Sequence, residues 1–197
     1  MAWGAWAARA AGGGGNVTFA SDDRLPVTGV SFAQALAWCR KLGLDLPTEA
    51  QWEFAAGGPG SLRYPWGSGT CRPNVKRAFR SSAPADVASH ECDRSWHGVM
   101  DMAGNVREWC YPVSNATYRI LNNGVQDPPA RSDGVVQRGA SFQDSKTDGR
   151  THVRRFSPGP RDEAGPGNEA VGFRPVLRRD SRPDLTVQEN VVEAQTD

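Results

Sequence analysis

The sequence predicts an α+β domain with little regular structure: two short helices in the N-terminal half, then short antiparallel strands joined by long turns. Three observations predict it. The chain of 197 residues carries 22 Gly and 14 Pro, together about 18% against a usual share near 12%. Only 38% of residues are apolar, yet 7 are Trp, which suits aromatic anchors set among fixed turns and disfavours a helix bundle or a helix-rich α/β barrel. Helix-start signals are confined to the first quarter of the chain. The length is one domain's worth of material and enough to bury a core.

The elements follow in order. Residues 1–25 are Ala/Gly-rich and then polar, and read as a flexible leader; order is expected from Leu25-Pro26-Val27, with a domain over 26–178 and a charged, frayed tail over 179–197. Ser31-Phe-Ala-Gln34 is a capping box, in which the Ser hydroxyl accepts from the Gln34 backbone while the Gln34 side chain reaches back. Phe32, Leu36, Cys39 and Leu42 then recur at helical spacing, and Gly43 supplies the stop. Thr48-Glu-Ala-Gln51 repeats the device for a second helix through Ala56, ended by Gly57-Gly58, with Trp52, Ala55 and Ala56 on its buried face. Beyond it, Tyr64–Gly67, Gly134–Arg138 and Ala170–Leu177 read as turns and short strands.

Charge and cysteines exclude several function classes. With 23 basic and 22 acidic residues the net charge is +1, which makes no polyelectrolyte case for nucleic acid or a membrane surface. No apolar stretch approaches the ~18 residues of a membrane span. The N-terminus lacks a basic n-region and is a poor signal peptide, so the compartment stays open. Cys39, Cys71, Cys92 and Cys110 show no C-x-x-C spacing, against a structural zinc site. Cys71 and Cys92, both in loop-like sequence, are the candidate disulfide pair; Cys39 lies on a helix face and reads as a small buried hydrophobe. Phosphate-loop, His-Glu-x-x-His and Gly-x-Ser-x-Gly motifs are absent from the sequence.

The most informative stretch is Asp101-Met-Ala-Gly-Asn-Val-Arg-Glu-Trp-Cys110. Gly104-Asn105 can take positive φ, folding the chain into a tight loop with carbonyls turned to one side. Asp101 and Glu108 flank it with carboxylates, an all-oxygen nest suited to a hard cation such as Ca²⁺. Taken alone, the same residues also describe a capped surface turn. They are one of six motifs in series: Pro26-Val-Thr-Gly-Val-Ser-Phe32, Leu46-Pro-Thr-Glu-Ala-Gln-Trp-Glu-Phe54, Tyr64-Pro-Trp-Gly67, the 101–109 stretch, Arg138-Gly-Ala-Ser-Phe142 and Gly172-Phe-Arg174. The series closely resembles the formylglycine-generating enzyme family, also called sulfatase-modifying factors, over roughly residues 26–177.

The resemblance implies a loop-rich variant of the C-type-lectin-like fold with bound Ca²⁺. Asp101 and Glu108 would supply side chains to the ion, Gly104 and Val106 backbone carbonyls. A second family calcium site would begin at Asn74-Val75, but the stretch after it is short and lacks the required Asp. The family oxidises a sulfatase Cys to formylglycine with copper held by two Cys; the matching positions here are Asp144 and Gly149, and no Cys follows Cys110. A carboxylate and a glycine do not replace two soft thiolates for Cu(I), so copper is not expected. Ser141 matches an active-site Ser, and Arg107 stands where the family often has Trp. Compared with the family, the N-terminal strand is missing, and Pro175 stands where some members place the Cys that pairs with the helix Cys.

The remaining expectation is a non-catalytic, calcium-stabilised module that binds a protein or small-molecule ligand. Its ligand face would lie between Arg138 and Arg174, where Gln143, Asp144, Arg150, His152 and Arg155 are the candidate binding residues. Arg138 and Arg174, beside glycines in strands, are expected to form structural ion pairs. An oxidoreductase of the family, a member with altered chemistry, and a degenerate fragment are the alternatives.

Overall fold

The computed structural model describes residues 24–67, 69, 79, 81–111, 135–145, 149–157 and 169–177. The expected leader before Arg24, the tail after Leu177, and Cys71, Asn74 and Val75 lie outside the described residues.

Both helices start where their capping boxes put them. Helix α1 (Phe32–Lys41) is capped by Ser31, whose hydroxyl accepts from the Gln34 N–H at 3.2 Å while the Ser31 N–H donates to Gln34 Oε1 at 2.9 Å. Gly43, at φ 72°, turns the chain away, and Arg40 and Lys41 in the last turn complement the helix dipole. Helix α2 (Glu49–Gly57) repeats the arrangement with Thr48 and Gln51 and is closed by Gly58 at φ 63°. Trp52 and Ala56 are buried and Ala55 half-buried, as expected, whereas Phe54 faces outward and is exposed.

Six short strands complete the described structure: β1 (Leu44–Asp45), β2 (Arg107–Cys110), β3 (Val135–Arg138), β4 (Arg154–Ser157), β5 (Val171–Gly172) and β6 (Val176–Leu177). Strands β1 and β6 form an antiparallel pair; the other four make a sheet in the order β4-β3-β2-β5. The expected antiparallel pairing holds for β2–β3 and β3–β4, but β5 runs parallel to β2, with Arg107 opposite Val171 and Glu108 opposite Gly172. The sheet is therefore mixed, and β2 sits at its centre.

Packing explains the aromatic content. Phe32 of α1 meets Trp109 and Tyr111 edge-on, with centroids 6.3 and 5.3 Å apart, in a core that includes Cys39, Val135 and Val171. Trp52 and Ala56 of α2 pack on Met102 and Cys110 in a second cluster. Arg138, fully buried on β3, joins the sheet to α2 through Glu53 at 2.6 Å and Glu49 at 3.6 Å, with its guanidinium over the Trp52 ring. Cys39 and Cys110 are free and buried; Cys92 is disulfide-bonded.

Candidate functional site

The loop that leads into β2 is fixed by polar contacts from three directions. Asn105, at φ 70°, makes its turn, and Asp101 also takes positive φ at 58°. The Asn105 side chain imitates a strand partner, accepting from the Ala85 N–H at 2.9 Å and donating to the Ala85 carbonyl at 3.0 Å. Asp93, buried beneath the loop, accepts from the Ala103 N–H at 3.0 Å and the Gly104 N–H at 3.2 Å. Burial pushes the Asp93 carboxyl up to about 7, against the lowering effect of the Ala103 N–H. Backbone donors are thereby drawn to one side of the loop.

On the other side, Asp101, Gly104, Val106 and Glu108, the four residues expected to hold Ca²⁺, line one cavity of about 510 Å³. Glu108 is already engaged there. Arg174 grips it with two N–H groups, Nη2 to Oε1 at 2.8 Å and Nε to Oε2 at 3.0 Å, and the Trp52 indole donates to Oε2 at 2.7 Å. Although burial opposes it, Glu108 holds the Arg174 guanidinium above its ordinary range. Asp101 is less well satisfied. Its Oδ2 accepts from the Ala88 N–H, whereas its Oδ1 is buried with no partner, and burial raises its pKa. Among the described residues no group of three His, Cys, Asp or Glu side chains is placed to hold a metal ion.

A second polar cluster joins the other face of β2 to the end of β3. The Arg107 fork meets Asp144 with two hydrogen bonds, Nε to Oδ2 at 2.8 Å and Nη2 to Oδ1 at 2.6 Å. Ser141 donates its N–H and its hydroxyl to the same Oδ2, at 2.8 and 2.9 Å, and Arg155 of β4 approaches Oδ1 at 3.3 Å. Burial alone would raise the Asp144 pKa; Arg107 and the two Ser141 donors outweigh it and hold the carboxyl below its usual value. Asp144 is thus an interior anchor. Of the other expected ligand-face residues, Gln143 donates to Glu169 at 2.9 Å, His152 is exposed, and Arg150 is half-buried with an unpartnered Nε.

Gly149 has no room for a side chain. A Cβ there would stand 2.6 Å from the Ala103 carbonyl oxygen and 2.6 Å from Cζ of the Phe79 ring. Sequence reasoning missed Phe79, Asp93 and the Trp52 contact to Glu108, because each acts on a residue distant in the chain.

A family model described as the Sulfatase-modifying factor enzyme 1-like domain matches residues 4–179. The chain belongs to this family. Among curated relatives, it is 37% identical over 136 residues to the Formylglycine-generating enzyme of Streptomyces coelicolor, covering 59% of this chain and 42% of that one. It is 32% identical over 162 residues to the Inactive C-alpha-formylglycine-generating enzyme 2 of Mus musculus, covering 76% and 48%. The chain spans between 23% and 49% of the length of the curated relatives it matches. Among solved structures, Treponema denticola variable protein 1 shares the fold, with a TM-score of 0.59 at 24% identity over 84% of this chain and 75% of that one.

The cavity is lined by the residues at which the sequence resemblance expects Ca²⁺, Asp101 and Glu108 among them. Ser141 and Asp144, expected from the resemblance to match an active-site Ser and one copper-binding Cys, are joined by two hydrogen bonds. Arg138 and Arg174 form ion pairs, to Glu53 and Glu49 and to Glu108. Among the described residues no helix is long and apolar enough to cross a membrane.

Proposed function

We propose that this chain is a non-catalytic sulfatase-modifying-factor domain, stabilised by calcium and used to bind a protein or small-molecule ligand. The observation that carries the reading is the state of Asp144. Copper(I) chemistry in this family needs two soft thiolates, whereas Asp144 is a hard carboxylate whose oxygens are taken by the Arg107 fork and Ser141. Its partner position is a glycine, which offers no side-chain donor. These residues do not fit the copper group, so no oxidation step is assigned to them. The similarity to an inactive member of the family supports the same reading.

For calcium the residues do fit. Asp101 Oδ1 is a buried oxygen without a partner, and Gly104 and Val106 line the same cavity, where their backbone carbonyls would supply the hard oxygen ligands that a divalent ion takes. Because Arg174 already brings one positive charge to Glu108, the ion would contribute most at Asp101. The proposed ligand face is the loop surface between Arg138 and Arg174, with Gln143, Asp144, Arg150, His152 and Arg155 as its candidate binding residues.

Two measurements test the proposal. A sulfatase-type Cys-x-Pro-x-Arg peptide incubated with the full chain, copper and oxygen should show no aldehyde by mass spectrometry, and turnover would refute the non-catalytic reading. Calcium at 100 times its Kd should raise the melting temperature by roughly 5–10 °C. Asp101→Ala with Glu108→Ala should abolish that rise, and a parent protein indifferent to calcium would remove the ion from the proposal.

A further inference from the structure

Gly149 is more than a lost thiol. The Phe79 ring and the Ala103 carbonyl both stand 2.6 Å from where its Cβ would lie, with Phe79 Cε1 at 2.9 Å. A ring edge can swing, but the Ala103 oxygen is backbone and is tied down, accepting the Ala140 N–H at 3.0 Å. Phe79 is itself 4% exposed and packs with Ala103 and Ala140, with Trp66 against the same cluster. The glycine therefore forms a socket in which an aromatic side chain seats against the turn that leads into β2. Two residues on, Thr151 donates its hydroxyl to the Leu62 carbonyl at 2.6 Å and its N–H to the Arg63 carbonyl at 3.1 Å, which fixes the chain just beyond the glycine.

We infer that position 149 has been closed by this packing to every side chain, so that the copper pair cannot be regained by restoring its two thiols. The inference deepens the non-catalytic reading: two residues differ in chemistry from the copper pair, and the space a side chain would need at one of them is already filled. An Asp144→Cys substitution releases the Arg107 fork, yet a thiol at 149 still meets a fixed carbonyl. The second donor needed for two-coordinate Cu(I) has nowhere to stand. Phe79 and Gly149 have become a structural joint between the calcium loop and the proposed ligand face.

The test uses the full chain. Gly149→Ala adds only a methyl and should lower the melting temperature by at least about 5 °C, since overpacking against backbone is not relieved by a rotamer change. A variant melting within 1 °C of the parent overturns the inference. Asp144→Cys with Gly149→Cys, titrated with Cu(I) against bathocuproine disulfonate, should bind no more tightly than Asp144→Cys alone. A folded double variant that takes up one Cu(I) at least 100-fold more tightly than either single variant also overturns it. Peptide oxidation by the parent is scored separately. The socket can thus fail while the non-catalytic reading stands, and turnover by the parent would remove that reading without the Gly149→Ala result being touched.

Discussion

At the scale of single residues, Asp144 shows how one carboxylate can take on a structural task by collecting donors from β2, β4 and the chain just after β3. It accepts from Arg107, Arg155 and Ser141, and its side chain is only 11% exposed. A carboxyl held below its unfolded value stabilises the fold above that value and loses the contribution as pH falls through the folded pKa. For Asp144 this places the loss below about pH 4, the ordinary Asp range. Asp144→Ala should therefore cost about 3 kcal/mol at pH 7, because it strands Arg107 as well as removing the acceptor. It should also flatten the acid limb, which urea melts between pH 2.5 and 7 would reveal; an unchanged slope below pH 4 would assign the acid sensitivity to other carboxylates. The Asp144 position was legible in the sequence as a departure from a motif. Its partner was not, since Arg107 lies 37 residues earlier and nothing local links the two. Asp93 escaped for the same reason: its acceptors' donors are ten and eleven residues away across an irregular loop.

Elements divide according to how local their determinants are. Both helices were legible because a capping box is written in four consecutive residues, and each formed with both reciprocal hydrogen bonds. The two caps are not equivalent, however. Ser31 is half-buried, whereas Thr48 is 6% exposed and also bridges to Tyr111, with the next residue's N–H donating to the Tyr111 carbonyl at 2.8 Å. Ser31→Ala should cost about 1 kcal/mol and Thr48→Ala about 2 kcal/mol, the upper end of cap substitutions, because a buried methyl is lost with the hydroxyl. The double variant should add to within about 0.5 kcal/mol, since the caps share no partner; chemical denaturation of the three variants checks both statements. Strands β3, β5 and β6 fall within the stretches 134–138 and 170–177 read from the sequence as turns and short strands, whereas β1, β2 and β4 were not legible as strands. The parallel register of β5 against β2 has no local signature in two-residue strands. It follows from the close approach of Val27 to Gly172, where a Cβ would meet the Val27 carbonyl oxygen at 2.5 Å, and from Arg174 reaching back to Glu108.

For the whole molecule, the question is whether a fold built of turns and very short strands opens as one unit. Its described core comes as separate clusters, one under α1 with Cys39, another under α2 with Cys110, and these two free thiols are placed to report on each. Both are fully buried, and burial pushes Cys39 up to about 12 and Cys110 well above its ordinary value, so neither reacts until its surroundings open. The clusters are joined through β2, which sends Trp109 to one and Cys110 to the other, and through the buried Arg138 that ties β3 to α2. Separating them would leave that guanidinium unpaired in the interior, a cost of about 3–5 kcal/mol. Opening one cluster alone is therefore disfavoured. Maleimide labelling without reductant, read by peptide mass spectrometry so that the Cys92 disulfide stays intact, should modify Cys39 and Cys110 at rates within about threefold of each other at every urea concentration. Arg138→Met combined with Glu49→Gln and Glu53→Gln, which removes the tie and neutralises the carboxylates it paired with, should let the rates diverge. Labelling of Cys39 a hundredfold faster than Cys110 in the parent would mean that α1 opens by itself, and the loop-rich composition would then describe two loosely coupled halves.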